Sequence, residues 1–517
     1  MASTWIWRGS YDRLEEVSEA PAPGEGDALP PVIRPWTAVK PGDAVLAWTA
    51  RRAIDSGRLE GAWILNGGCS TAARMPAEEK RRIWRRAGLC GGPPLDSERV
   101  FRVSVVHLEP LEIVREVVAA GKAAGERLRR TEGLGSGIGF VNESGYEVRS
   151  GAEWADPSLG GRKRQPGAGG GRLPLQAIEG ETGYWPVDPA MRRVARTAVQ
   201  ALYALGLDIG EAVVALGGDG RTAVRDARPG LADATLAAAG LRRFAAWHAA
   251  ESAAVKDRQL LIGADPEFVL VTPSGKVAAA SRFFGAGAGG AAGADAVLVG
   301  RRLLYPVAEL RPEPAADPAA LAANVRRLLL RAAGKIGDPA LRWAAGAMPV
   351  PGLALGGHIH VSGAPLTSRL LRLLDSYAAF PLALVEDPAG RSRRPRYGKL
   401  GDFRRQPHGG FEYRTLPSWL VSPLAAKAAF AIALLCAREA AALPYIPALD
   451  ERYAAAYYAG DRTELAGCLD GVASAMAATA SYAELAPYIE PLLEAARRGS
   501  VWDESADIRV KWRIPLR

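Results

Sequence analysis

Gly356-Gly-His-Ile-His-Val361 decides how the second half of this chain is read. The whole sequence has five histidines, and two of them stand two residues apart here. In a β-strand, residues i and i+2 point to one face, so both imidazoles would share a surface. The preceding glycines let another backbone or a ligand approach closely. Three more motifs repeat the spacing: Asp265-Pro-Glu267, Glu309-Leu-Arg311 and Glu412-Tyr-Arg414. Four strands would each aim a pair of carboxylate, imidazole or guanidinium groups at one face. Carboxylates and imidazoles bind divalent metals, and guanidinium forks bind phosphate. Such a face suits a metal–nucleotide site better than a core.

Each motif also has a plainer reading. Asp265 and Glu267 repel each other unless a cation lies between them, but an exposed acidic strand end would serve equally well. Pro266 cannot donate to a ladder, which predicts a sheet edge or a bulge. Glu309 and Arg311 sit in an apolar stretch and, taken alone, read as a structural cross-strand pair. The two histidines could simply be hydrogen-bonded structural residues. Between Arg391 and Arg414 there are seven arginines, one lysine and two acids in 24 residues. That density fits a polyphosphate clamp, although a solvated basic loop or a nucleic-acid contact has the same composition. Glu412 and Arg414 directly after the loop favour the clamp.

At 517 residues the chain is too long for one core, so two or three domains are expected. The net charge of +9 is spread along the sequence. Without an aromatic-interleaved basic motif, it points to a phosphate-bearing small substrate or an anionic polymer, and nucleic acid is not expected. Cys69, Cys90, Cys436 and Cys468 form no C-x-x-C pair, so a reducing, cytoplasmic setting fits. The N-terminus lacks a basic segment followed by an apolar run, so no signal peptide is read. The apolar stretch Ala428–Ala437 is too short for a membrane span and reads as a buried helix.

Residues 1–235 are expected to form one α+β domain. Its strands would include 44–48 and 101–106, its helices 77–88 and 189–205. The Gly-rich basic stretch 157–174 reads as a loop. The second domain is expected over 236–445, with an Ala-rich helix at 232–258 bridging to it. Its first strand is read as two pieces, 260–264 and 267–272, interrupted at Asp-Pro. Asp317-Pro318 and Ser422-Pro423 signal helix starts, and a helix over 366–386 should kink at Pro381. Residues 446–517 read as a helical C-terminal extension. Gly133–Gly139 and Gly285–Gly293 match no phosphate-binding fingerprint and read as loops.

Taken in order, Gly-Ala-Asp-Pro-Glu-Phe268, Glu-Leu-Arg-Pro312, Gly-Gly-His-Ile-His-Val361, Tyr397-Gly-Lys-Leu-Gly-Asp-Phe-Arg404 and Phe411-Glu-Tyr-Arg-Thr-Leu-Pro-Ser418 resemble the glutamine synthetase-like carboxylate–amine ligases, and within them the phage-type amidoligase family, type 2. The resemblance spans 259–442. It implies a curved, mainly antiparallel half-barrel sheet backed by helices, and an ATP-dependent ligase using two or more Mg2+ ions and an acyl phosphate. Carried over residue by residue, Asp265, Glu267, Glu309, His358 and Glu412 would hold metal. His360 and Arg414 would contact nucleotide phosphate, and Arg396, Arg404 and Arg405 would clamp phosphate and substrate. Arg414, Arg405 and Arg396 would be the residues acting in the transfer. Where glutamine synthetases carry Glu at the first position of the acid pair, this chain has Asp265, a shorter ligand.

The first domain resembles the C-terminal end of an ATP-grasp domain over Ala198–Gly210 and Asp219–Leu231. The usual Glu-x-Asn ligand pair there is Asp226-Ala-Arg228. Arginine cannot ligate a cation, so that second nucleotide site reads as degenerate. Two alternatives to the ligase remain: a non-catalytic nucleotide- or peptide-binding protein that keeps the fold, and a metal-dependent phosphotransferase. The sequence names neither the carboxylate nor the amine, and gives no oligomeric state.

Overall fold

A computed structural model describes residues 2–9, 13–17, 32–48, 52–55, 57, 59, 61–91, 95, 97–118, 129–131, 176–177, 184–286, 290–299, 302–406 and 409–516. Two of the expected loops, 157–174 and 133–139, lie outside these residues. The described residues form two compact units. The first gathers those of 1–141 and 167–258 with Thr367–Arg369, and the second those of 259–366 and 370–517.

In the first unit, β1 (Thr4–Trp7), β2 (Leu14–Glu16), β3 (Ile33–Arg34), β4 (Ala44–Ala47) and β5 (Trp63–Leu65) form a sheet of order β3-β2-β1-β4-β5. Two short helices follow, α1 (Cys69–Arg74) and α2 (Ala77–Arg86). In α2, Lys80, Ile83 and Trp84 turn inward, while Glu78 and Glu79 in the first turn and Arg85 and Arg86 in the last complement the helix dipole. A second sheet contains β6 (Arg99–Val106), β7 (Glu109–Val118) and β8 (Arg129–Thr131). The small pair β9 (Gln176–Ala177) and β10 (Tyr184–Trp185) leads to α3 (Pro189–Ala204), whose N-terminus is capped by Asp188 accepting from Met191 N at 2.9 Å. Then β11 (Ile209–Leu216) and β12 (Thr222–Pro229) complete the sheet in the order β12-β11-β6-β7-β8.

Helix α4 (Ala234–Ala254) follows. Its Leu241 and Phe244 pack with Trp63, Val106 and Ile209 in one core, so this helix belongs to the first unit, and the chain divides after Arg258 instead of at 235.

The second unit opens with β13 (Leu261–Val271), which runs without a break through Asp265-Pro266. The expected interruption is absent, and β13 is central in its sheet instead of at an edge. The order is β15-β16-β13-β18-β20-β19, with β14 (Val277–Ala278), β15 (Ala292–Val299), β16 (Arg302–Leu310), β17 (Arg342–Ala344), β18 (Gly357–Ser362), β19 (Phe403–Arg405) and β20 (Phe411–Tyr413). All its ladders are antiparallel, and the sheet curls into a half-barrel. Proline is tolerated because pairing changes there: residues 261–266 pair with β18, whereas pairing with β16 starts at Glu267. The missing N–H falls where the β16 ladder has not yet begun.

Helices cover this sheet. In α5 (Pro318–Ile336), Asp317 accepts from Ala320 N at 2.7 Å, with Pro318 in the first turn, and Gly337 closes the helix at φ 48°. The expected helix over 366–386 is α6 (Ser368–Leu374), a π-helical turn at Asp375–Ala379, and α7 (Phe380–Val385). The widening lies just before Pro381, which has no N–H for the carbonyl one turn back. Helix α8 (Pro423–Arg438) is apolar on nearly every side and fully buried from Ala428 to Cys436.

The remaining helices, α9 (Glu451–Ala459), α10 (Arg462–Ala466), α11 (Leu469–Ala477), α12 (Tyr482–Arg497) and α13 (Ile508–Trp512), are tied into the same unit. Glu504 accepts from Ala347 N (2.7 Å) and Met348 N (2.8 Å), Arg509 donates to Leu341 O (2.6 Å), and Trp512 Nε1 donates to Leu420 O (2.7 Å). Among the described residues, no helix is long and apolar enough to cross a membrane.

Candidate metal and phosphate site

Strand register brings the four motifs together. Asp265 on β13 lies opposite His358 on β18, His360 lies opposite Glu412 on β20, and Glu267 lies opposite Glu309 on β16. Each of these side chains points to the same sheet face because the spacing within a motif is two. Asp265, Glu267, Glu309, His358 and Glu412 are buried, Glu412 completely.

The face has two halves of opposite character. In the first, His358 Nδ1 lies 3.0 Å from Asp265 Oδ1 and 3.1 Å from Glu412 Oε1, and His360 Nε2 lies 3.2 Å from Asp265 Oδ2. Glu412 also meets Arg404 at 2.5 Å and Arg414 at 3.0 Å, and accepts from Gln406 Nε2 at 3.0 Å. Burial alone would raise the Asp265 carboxyl, but the two imidazoles override it and hold it below the usual range. Glu412 is likewise raised by burial and by Asp265, yet Arg414 and His358 bring it down to about 2. Burial disfavours charge on His358, but the Asp265 and Glu412 carboxylates keep it protonated well above its ordinary value. Asp265, His360 and Glu412 offer donor atoms within 4.8 Å of one another.

The second half is acidic. Glu267, Asp295 and Glu309 offer carboxylate oxygens within 4.8 Å of one another, all buried. Glu267 Oε2 accepts from Gly356 N at 2.6 Å, and Glu309 meets Arg311 at 2.6 Å. Neither carboxylate oxygen of Asp295 meets a hydrogen-bond donor, and the same is true of Glu309 Oε2. Burial pushes Asp295 up to about 9, with Glu309 and Glu267 adding to the rise. Burial likewise pushes Glu267 up to about 7, against the pull of His358, and raises Glu309, with Asp265 adding. Three buried acids, two of them with unmatched oxygens, and no sulfur or nitrogen donor fit a hard divalent cation such as Mg2+.

Asp295 escapes the motif search. It lies on β15, where Gly293 pairs with Glu309 and Asp295 itself lies opposite Val307. Its one sequence signal is a lone acid inside the apolar run Ala294-Asp-Ala-Val-Leu298, next to a Gly/Ala stretch that reads as loop.

The preceding glycines do what the sequence suggests. A Cβ at Gly356 would lie 2.5 Å from His358 Nε2, and one at Gly357 would lie 2.4 Å from Pro417 O.

The arginine-rich segment divides by role. Arg393 is buried and donates to Thr415 O and Leu416 O at 3.0 and 2.8 Å, and Arg394 pairs with buried Glu386 and lies over the Tyr457 ring. Both hold the segment in place. Arg404 and Arg414 reach the site through Glu412, whereas Arg405 is half-buried on β19 and Arg396 is exposed, with its guanidinium 5.2 Å from the Tyr397 ring centre.

The family model described as phage phiEco32-like COOH.NH2 ligase-type 2 matches residues 262–514. The second unit is similar to this family over those residues. The match runs from the first residues of β13 through α13, so it takes in the helices after 446 as well as the sheet. No curated protein matches the chain. Among solved structures, ligand-free GmaS is 15% identical with a TM-score of 0.27, the match covering 48% of this chain and 72% of that one. A bifunctional glutathione synthetase from Pasteurella multocida is 11% identical with a TM-score of 0.29. That match covers 49% of this chain and spans about half, 51%, of the synthetase.

In the first unit, Asp226 and Arg228 are exposed on β12. Arg228 pairs with buried Glu211 on the neighbouring strand, and Glu211 also accepts from Ala232 N at 2.8 Å.

Proposed function

We propose that the second unit is an ATP- and Mg2+-dependent carboxylate–amine ligase. The observation that carries this reading is the acidic triad Glu267, Asp295 and Glu309, buried beside a half that is rich in histidine and arginine. Mutually repelling buried acids are costly unless a cation joins them.

Glu267, Asp295 and Glu309 would hold one cation, and Asp265, Glu412 and the histidines His358 and His360 another. When bound, such ions supply neutralisation of phosphate charge. Arg404 and Arg414, which face Glu412, would turn their remaining donors to the transferred phosphoryl group, and exposed Arg396 would meet substrate, whereas Arg405 follows Arg404 on β19 and points to the opposite face of the ribbon. The substrate carboxylate oxygen attacks the γ-phosphorus and the bond to the β–γ bridging oxygen breaks, releasing ADP. An amine nitrogen then attacks the acyl carbon, phosphate leaves, and the amine loses a proton. Fixed arginines act here mainly through orientation and charge.

The reading predicts multiple-turnover ADP release that requires both a carboxylate and an amine, scored by coupled ADP detection over a panel of amino acids and short peptides. Phosphate release that ignores the amine would favour the phosphotransferase reading instead. In the first unit, Arg228, neutralised by Glu211, stands where an ATP-grasp domain would place a ligand and cannot ligate a cation, which favours a structural or substrate-presenting role over a second nucleotide site.

A further inference from the structure

We propose that Asp375, which lies outside every motif above, is the positioning residue that holds both strands of the arginine-bearing ribbon β19–β20 against the back of the ligase site. The inference rests on the nucleotide reading just given.

Asp375 is fully buried at the start of the π-helical turn, and its carbonyl accepts from Phe380 N, five residues on. That widened turn is itself locked: Ser376 Oγ donates to Arg372 O at 2.7 Å and accepts from Ala448 N at 3.1 Å, and Tyr377 Oη donates to Tyr445 O at 2.7 Å. Turns of this kind displace one side chain from the regular helical face, and they concentrate at functional sites.

The displaced carboxyl group accepts hydrogen bonds from both segments at one oxygen. Tyr413 Oη donates to Asp375 Oδ1 at 2.6 Å, and Gly401 N donates to the same atom at 3.0 Å. Tyr413 stands between Glu412 and Arg414, so its ring faces away from the site while theirs face into it. Gly401 ends the turn that feeds Arg404. One buried carboxyl group therefore joins the two segments that carry Arg404, Glu412 and Arg414. The loop between them is pinned at neighbouring residues: Tyr457 Oη donates to Gly398 O (2.8 Å), Thr415 Oγ1 to Lys399 O (2.7 Å), Leu400 N to Tyr458 Oη (3.0 Å), and Arg414 N to Asp402 O (2.9 Å). Asp375 contributes a carboxylate side chain to this set, where the other acceptors named are backbone carbonyls and a tyrosine hydroxyl. Charge-assisted hydrogen bonds are the strong ones, and groups that orient ligands from behind govern affinity nearly as much as the ligands do.

The test compares wild type with Asp375→Asn, Tyr413→Phe and the double variant, by hydrogen exchange and by calorimetric titration with Mg2+ and a non-hydrolysable ATP analogue. Faster exchange is expected in 397–406 and 411–416, with helix 423–438 unchanged. The affinity should fall about tenfold in each single variant, and the double variant should be no worse than the poorer single one. Faster exchange that extends through 423–438, or local loosening with wild-type affinity, would overturn the proposal. If Asp375→Asn does not fold, Tyr413→Phe decides by the same criteria. If wild type binds no nucleotide, the ligase reading fails, and the exchange pattern alone still shows whether Asp375 holds the ribbon.

Discussion

Asp295→Asn should make the metal-free protein more stable and at the same time remove its stabilisation by Mg2+. The carboxyl of Asp295 is buried, meets no hydrogen-bond donor, and is pushed from 3.8 to about 9 by burial and by Glu309 and Glu267. An acid whose pKa is raised on folding binds more protons in the folded than in the unfolded state, so stability falls as pH rises between the two values. The penalty is absent below pH 4, grows through neutrality, and is complete above pH 9. Replacing the group by an amide removes it. At pH 8 without metal, thermal unfolding should shift upward by about 4 °C, equivalent to roughly 1–2 kcal/mol. The difference from wild type should shrink as the pH is lowered toward 4. With millimolar Mg2+ the order should reverse: wild type gains stability through binding, and Asp295→Asn gains little. Wild-type binding should also release protons, because the cation replaces those held by the triad. A variant that is less stable without metal, or equally stabilised by it, would show that the triad is not a cation site.

Glu412→Gln should do the opposite. Glu412 is completely buried and faces His358, Arg404 and Arg414, so the amide would leave buried positive charge unmatched. Breaking a buried pair by removing one partner typically costs about 3 kcal/mol or more. A lower unfolding temperature is therefore expected both with and without metal, while far-ultraviolet circular dichroism stays that of the folded protein. Turnover should fall by about 10^3, since the group orients two phosphate-facing arginines and also serves as a candidate metal ligand. Retained turnover in a folded Glu412→Gln protein would remove Glu412 from the mechanism. The two variants thus separate the halves of the site: one relieves repulsion among acids, and the other strands cations.

The polar face was legible because its signal is local. Asp265 with Glu267, and His358 with His360, stand two residues apart, which is enough to place each pair on one side of a strand. Which pairs face each other was not legible. That Asp265 lies opposite His358 and Glu412 opposite His360 depends on register between strands separated by many residues. Asp295 was lost for the same reason, since only its position on β15 beside Glu309 distinguishes it from any acid near a glycine-rich stretch. Pro266 misled in the opposite sense: its missing N–H predicted an edge, but β13 is central and simply changes partner there. The arginine cluster looked uniform in composition, yet Arg393 and Arg394 serve buried carbonyls and Glu386, and only the folded loop separates them from Arg404 and Arg414. The helix at 234–254 joined the first unit because Leu241 and Phe244 find their core among Trp63 and Ile209, a long-range match that the Ala-rich sequence does not announce.

On the proposed reading, metal and nucleotide meet on the sheet face of the second unit. Calorimetric titration of wild type and of the Glu267→Gln/Glu412→Gln variant with Mg2+ and a non-hydrolysable ATP analogue tests it most directly. Binding by wild type with none by the variant is the result expected. Equal binding by both would move the nucleotide away from this face and to the first unit.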